Sequence, residues 1–237
     1  MKLDASKATR PVILDLYSGA GGAAVGYDRA GFRVIGVDSE PMPNYPFEFH
    51  QGDALSTLTD IIAGRSTFCE IAAIHTSPPC QASCALIKGN QRATADNHVN
   101  LIPATRELLK LTGLPYIIEN VQGSDLRRDL TLCGEMFGLG VIRHRYFEVE
   151  GFEVTQPAHI PHRGRVRGWR HGEYFDGPYT AVFGEGGGKG SVAEWQVAMG
   201  GIDWTNVRKE IAEMIPPAYA ELVGHQLMAQ IRETGAA

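Results

Sequence analysis

Cys80 stands in the segment Ser77-Pro-Pro-Cys80-Gln81, where two prolines stiffen the backbone and remove two N–H donors. A thiol placed there is presented by a rigid loop rather than packed in a core. About 40 residues later, Glu119-Asn120 follows the apolar run Tyr116 to Ile118. A carboxyl at a sheet's carboxyl edge, one strand from a thiol, suits an acid that protonates a ring nitrogen while sulfur attacks. The plainer alternative is a loop cysteine that behaves as a small hydrophobe.

A second constellation lies near the start. Asp15-Leu-Tyr17-Ser18-Gly19-Ala-Gly21-Gly22 follows an apolar run and opens a helix-like segment. Its glycines allow a sharp turn and a close approach of backbone to ligand. The spacing satisfies a loose dinucleotide-binding pattern, which fits a nicotinamide oxidoreductase, a methyltransferase, or a tight turn without ligand. Asp38 ends the next apolar run and could accept from two ribose hydroxyls. Asp53 is either a further ligand to a nucleoside or only a helix N-cap.

These residues need elements to hold them. Val12 to Leu16, Val34 to Val37, Ile71 to His75 and Tyr116 to Ile118 read as buried strands. Between them, helical spacing covers the stretch up to Ala30, Leu55 to Ala63 and His98 to Leu111. Strands alternating with helices predict a parallel sheet covered on both faces, with ligands beyond the strands' carboxyl ends. Asp15 to Gly22, Asp38, Pro78 to Gln81 and Glu119-Asn120 are all expected there. Tyr146 to Val149 reads as another strand. After the glycine-rich Gly184 to Gly190 weak alternation returns, and Pro216-Pro217 opens a final helix with Tyr219, Leu222, Val223, Leu227 and Ile231 on one face.

DLYSGAGG, PPCQ, ENV and a later Arg143-x-Arg145, in this order, resemble the cytosine-5 DNA methyltransferase family, and the short methylases of bacteriophages in particular. Ile215-Pro-Pro-Ala-Tyr-Ala-Glu-Leu-Val-Gly224 is similar to that family's closing segment. The resemblance covers about residues 11 to 149 and 196 to 231. It implies a Rossmann-like α/β fold that uses S-adenosylmethionine, with a small target-recognition lobe. On this view residues 1–150 form the catalytic and cofactor-binding domain. Residues 151–195 read the target, and 196–237 return to the catalytic domain.

The same resemblance implies roles. Cys80 adds to carbon 6 of a cytosine flipped out of double-stranded DNA. Glu119 protonates the ring nitrogen at position 3, and Asn120 orients the Pro79-Cys80 loop. One of Arg143 and Arg145 stabilises the pyrimidine oxygen or a phosphate. Cofactor contacts fall to Asp15, Tyr17, Ser18, Gly19, Gly21, Gly22, Asp38, Asp53 and Pro79. Some features depart from the family pattern. Tyr17 replaces a phenylalanine, Ser83 and Cys84 follow the PPCQ, Val141 replaces a glutamine, and Ala212-Glu-Met-Ile215 precedes the final prolines.

His159 to His171 (HIPHRGRVRGWRH) contains four arginines, three histidines and no acid. Arg163, Arg165, Arg167 and Arg170 carry the charge to hold phosphates, and Trp169 could stack on a base or wedge into the duplex. The alternative is a solvated basic loop with Trp169 as its small core. His159, His162 and His171 match no standard zinc spacing and have no cysteine nearby in sequence, so no metal is expected. With only about 45 residues from Gly151 to Trp195, a short or loosely specific site is expected.

Composition bounds these readings. The 237 residues carry a net charge of −5, so nucleic-acid binding must come from a local patch. The N-terminus has no signal-like apolar stretch and no run is long enough for a membrane span. The cysteines Cys69, Cys80, Cys84 and Cys133 form no disulfide pattern. A cytoplasmic, monomeric enzyme without membrane contact is expected. An RNA cytosine methyltransferase, a non-catalytic DNA-binding relative and a nicotinamide oxidoreductase stay open, although the last leaves PPCQ and ENV without a purpose.

Overall fold

The computed structural model describes residues 10–68, 70–79, 100–183 and 190–235. Cys80 and Gln81, the start of the His98 helix, and residues 184–189 lie outside the described residues. Seven strands form one sheet: β1 (Val12–Leu16), β2 (Arg33–Asp38), β3 (Glu48–Gln51), β4 (Ile71–Thr76), β5 (Tyr116–Val121), β6 (Leu130–Leu132) and β7 (Arg145–Glu150). Their order is β3-β2-β1-β4-β5-β7-β6. The first five run parallel, while β7 is antiparallel to both β5 and β6. From β1 the chain goes to β2 on one side and later to β4 on the other. That reversal opens a crevice at the strands' carboxyl ends, where open α/β sheets bind ligands.

The central strands are buried on both faces, which is why β1 reads VILDL without polar alternation. Alternate residues supply the two faces. Ile13, Val34, Ala73 and Ile117 pack beneath α1 (Gly22–Arg29) and α6 (Pro217–Gly235). Leu14, Ile35, Ile74 and Ile118 pack against α2 (Ala54–Ile62) and α3 (Ile102–Thr112). Helix α6 places Tyr219, Val223 and Leu227 fully inside, as its apolar spacing predicts. It lies almost backbone to backbone on α1: a Cβ on Gly26 would come within 2.2 Å of Pro217 O, and one on Gly224 within 2.7 Å of Ala30 Cβ. The C-terminal segment thus roofs the helix that follows the glycine loop. Among the described residues, no helix is long and apolar enough to cross a membrane.

Several elements differ from the sequence reading. Glu119 and Asn120 lie inside β5 rather than in a loop beyond it, and Asp15 lies within β1, as the VILDL run reads, rather than beyond its carboxyl end. The weak alternation after residue 190 is two short helices, α4 (Val192–Ala198) and α5 (Arg208–Glu213). A capping box between Ser191 and Glu194 starts α4, and Trp195 and Ala198 bury one face at helical spacing. Together with Ala20, Val141 and Met199 they form a third apolar cluster. A hairpin, β8 (Gly168–Arg170) and β9 (Glu173–Phe175), was also not foreseen. His171 (φ 51°) and Gly172 (φ 82°) make its turn, the double left-handed geometry that suits the twist of paired strands.

Candidate active site

The loop after β1 is wound through left-handed backbone at Tyr17 (φ 55°), Gly19 (φ 49°) and Gly21 (φ 88°). Tyr17 tolerates that conformation while its hydroxyl is tied to Thr105 Oγ1 on α3, 3.1 Å away. Gly21 and Gly22 are needed for packing, since a Cβ there would lie 2.7 Å from Pro46 and 2.4 Å from Ile215 O respectively. Gly19 differs, with open space where its Cβ would be. Asp38, at the tip of β2, accepts from Gly19 N at 2.9 Å and from Glu40 N at 3.1 Å. Ser18 is buried and its Oγ has no hydrogen-bond partner among the described residues. Asp53 caps α2 by accepting from Ser56 N at 2.7 Å, so the N-cap reading holds, and its carboxylate remains exposed.

Asp15 does not face this loop. It is buried, with one oxygen 2.8 Å from His75 Nδ1 and the other accepting from Tyr45 OH at 3.2 Å. Burial pushes its carboxyl above the usual range, and the His75 and Tyr45 contacts pull it only part of the way back. Its side chain therefore braces the strands beneath the loop. Neither His75 nor Tyr45 was singled out in sequence, because nothing in an apolar strand marks a histidine as an aspartate's partner.

At the next strands, Thr76 of β4 lies beside Ile118 of β5 in parallel register. Asn120 reaches across from β5, and its Nδ2 donates to Pro78 O at 2.8 Å. Pro78 is buried and Pro79 exposed at the end of the described loop. Glu119 is 5% exposed. Arg145 Nε stands 3.0 Å from its Oε1, an ion pair whose angle falls short of a hydrogen bond. β7 brings this arginine in, because Val121 pairs with Arg145 and Glu119 with Phe147.

The arginine pair divides. Arg143 is buried and donates to the carbonyls of Val182 (2.9 Å), Ala212 (2.6 Å) and Glu213 (3.4 Å). Its own carbonyl accepts from Tyr219 OH at 2.7 Å. Arg143, grouped in sequence with the catalytic residues, thus ties the 182 and 212 segments to the sheet, and only Arg145 is paired with Glu119.

Several solved structures match nearly the whole of this chain. A DNA modification methyltransferase encoded within an E. coli prophage superposes with a TM-score of 0.62 at 14% identity, covering 94% of this chain and 99% of that one. S. pombe Dnmt2 methyltransferase gives 0.60 at 14% identity, covering 95% and 99%. The fold is that of the S-adenosylmethionine-dependent methyltransferases. In sequence, the chain is similar to the type II methyltransferase M.XorII of Xanthomonas oryzae pv. oryzae, 28% identical over 164 residues, which are 62% of this chain and 33% of that protein. It is also similar to M1.HphI of Haemophilus parahaemolyticus, 29% identical over 117 residues, 46% of this chain and 32% of that protein. The matches thus span about a third of each relative's length. No family model matches.

Outside the seven-stranded sheet, the basic segment carries less free charge than its arginine count suggests. Arg163 pairs with the buried Glu135 at 2.8 Å and lies over the Tyr179 ring. Arg167 pairs with Glu194 at 2.9 Å. Arg165 lies over Phe175, 5.1 Å from the ring centroid, with no ion-pair partner among the described residues. Arg170 lies on β8. Trp169 is no core residue: it is 61% exposed and packs edge-on against Tyr174, itself 49% exposed. The hairpin therefore presents an aromatic pair to solvent.

The three histidines of this segment also part company. His171 is in the hairpin turn, while His159 and His162 meet His144 and Cys133 in one cluster. The premise that no cysteine is nearby fails in space, since Cys133 Sγ is 3.4 Å from His162 Nε2 although 29 residues separate them in sequence.

Proposed function

We propose that this chain is a DNA (cytosine-5)-methyltransferase that uses S-adenosylmethionine and Cys80 as its nucleophile. The observation that carries this reading is the Asn120–Pro78 bond, which holds Pro78, two residues before Cys80 in sequence, beside the strand bearing Glu119. The similarity to type II methyltransferases supports it.

The loop after β1 fits the cofactor. Ser18 Oγ is a buried polar atom without a partner among the described residues, Gly19 leaves open space where a Cβ would be, and Asp38 and Asp53 offer carboxylates at the neighbouring strand ends. Tyr17 to Gly22 would hold the methionine end, Asp38 the ribose and Asp53 the adenine amine, while Asp15 acts from below. Bound there, S-adenosylmethionine supplies an electrophilic methyl group on its sulfonium.

The chain's residues do the rest. The Cys80 thiolate forms a bond to carbon 6 of a flipped cytosine, and Glu119 gives a proton to ring nitrogen 3. The electrons displaced by that addition make carbon 5 the nucleophile. After carbon 5 is methylated, loss of its proton and cleavage of the carbon 6–sulfur bond return the thiolate. Arg145 holds Glu119 in place and offers a cation to the pyrimidine oxygen or a flanking phosphate. Asn120 fixes the loop that carries the nucleophile. Trp169 and Tyr174 on the hairpin, with Arg165 beside it over Phe175, would face the duplex.

Nucleoside mass spectrometry tests this reading. Mixed-sequence DNA and RNA are incubated with the protein and a methyl-labelled cofactor, then digested. Label in 5-methylcytosine from DNA is expected. Label in N6-methyladenine, or in RNA alone, would replace the proposal with a different substrate class.

A further inference from the structure

Cys133 leaves β6 in a buried position at the head of the 3-10 turn Gly134–Phe137, and His144 stands one residue before β7. His159 and His162 come from the segment between β7 and the β8–β9 hairpin. The ligand atoms of all four side chains lie within 4.8 Å of one another. Nε2 of His144 is 3.2 Å from Nε2 of His159, and Sγ of Cys133 is 3.4 Å from Nε2 of His162. The three imidazole centroids form a near-equilateral triangle with sides of 5.4, 5.3 and 5.1 Å.

A tetrahedral zinc ion predicts these spacings. Bond lengths of about 2.05 Å to nitrogen and about 2.3 Å to sulfur give edges of about 3.3 Å between nitrogens and about 3.5 Å from nitrogen to sulfur. Imidazoles held through one nitrogen each then have centroids about 5.2 Å apart. Hydrogen bonding alone explains less. A neutral imidazole nitrogen is either donor or acceptor, so three rings and a thiol converging on one point leave lone pairs facing one another. Backbone N–H groups of Glu135 and Arg143 also approach the Cys133 sulfur, the kind of outer support that metal-bound ligands receive.

We propose that Cys133, His144, His159 and His162 form a structural zinc site. One thiolate and three imidazoles, without a carboxylate, favour zinc over harder cations. Four protein ligands leave no open position, so the ion is a fastener rather than a catalyst. It joins the β6–β7 edge to the start of the recognition segment. His144 adjoins Arg145, so the same ion fixes the approach of the arginine that pairs with Glu119. The site stands whether or not the chain transfers methyl groups.

Metal analysis and cobalt substitution of the whole chain test the proposal. Protein purified without chelators is expected to carry one zinc per chain by plasma mass spectrometry. The metal-free protein titrated with Co²⁺ should develop the strong visible bands of four-coordinate cobalt and a thiolate-to-cobalt charge-transfer band. Cys133→Ser should remove that charge-transfer band. His159→Ala, on the exposed side where folding is least at risk, should weaken zinc at least about 100-fold against a chromophoric chelator. Wild-type protein with little zinc and only the pale spectrum of six-coordinate cobalt would overturn the site. So would zinc binding that both variants leave unchanged, which would mean adventitious binding to surface histidines.

Discussion

Asn120 and Pro78 are joined across neighbouring parallel strands, the amide of one donating to the carbonyl of the other at 2.8 Å. The same Asn120 accepts from the N–H of Val121 through Oδ1, so its orientation is fixed at both ends. Pro78, two residues before Cys80 in sequence, is thereby registered to the strand that carries Glu119. Asn120→Ala should lower turnover about 10- to 100-fold through misplacement of the Pro78 loop. Cofactor affinity, measured by calorimetry, should stay near wild type. Loss of cofactor binding in step with turnover would mean that Asn120 supports the whole crevice instead.

The two arginines should respond oppositely to the same change. Arg143→Met removes a buried cation from three backbone carbonyls, and urea unfolding should show a loss of about 3 kcal/mol or more. Arg145→Met leaves those ties intact and strips Glu119 of its ion-pair partner. Its unfolding midpoint should fall less than that of Arg143→Met, because only the unpaired Glu119 carboxyl is left behind, while methyl transfer falls further. Equal effects on both measurements in both variants would refute the division of roles.

Glu148 on β7 is 3% exposed and receives both Arg106 nitrogens at 2.7 Å as well as the Arg127 N–H at 2.9 Å. Burial raises its carboxyl, but these donors outweigh burial and hold it below the usual range. A lowered folded-state value stabilises the fold above the ordinary glutamate range, and that stability disappears as pH falls through the folded value. Glu148→Gln should therefore be clearly less stable than wild type at neutral pH. The gap between their urea midpoints should narrow between about pH 5 and about pH 3. A constant gap would show that the hydrogen bonds, not the charge, carry the stability.

On the hairpin, Trp169→Ala should weaken DNA binding with no change in melting temperature, since the ring is largely in solvent. Arg165→Ala should reduce the salt dependence of binding by about one counterion. Arg167→Ala should reduce it less, because Glu194 already neutralises that side chain. Fluorescence anisotropy across a salt series makes the comparison. Equal slopes for both variants would return the whole basic run to the role of phosphate contact.

Much of this was legible in sequence, and the reasons are physical. Unbroken apolar runs such as VILDL mark strands buried on both faces, and Pro78 and Asn120 fall beside one another because β4 and β5 are neighbours. What escaped depends on distance in space. Arg163 and Arg167 look like free cations until Glu135 and Glu194 arrive from elsewhere in the chain. The Asp15–His75 pair joins two strands 60 residues apart. Cys133 meets the histidines because β6 and β7 are paired at the sheet's edge, which no local spacing announces.

Covalent trapping tests the central claim most directly. Wild type and Cys80→Ser are incubated with S-adenosylmethionine and mixed-sequence duplexes containing 5-fluorocytosine, then denatured. Fluorine at carbon 5 cannot leave as a proton does, so a sulfur attached at carbon 6 remains attached after methyl transfer. The account predicts a denaturant-stable protein–DNA adduct for wild type and none for Cys80→Ser. A wild type that binds S-adenosylmethionine yet forms no adduct, or an adduct that survives Cys80→Ser, would contradict it.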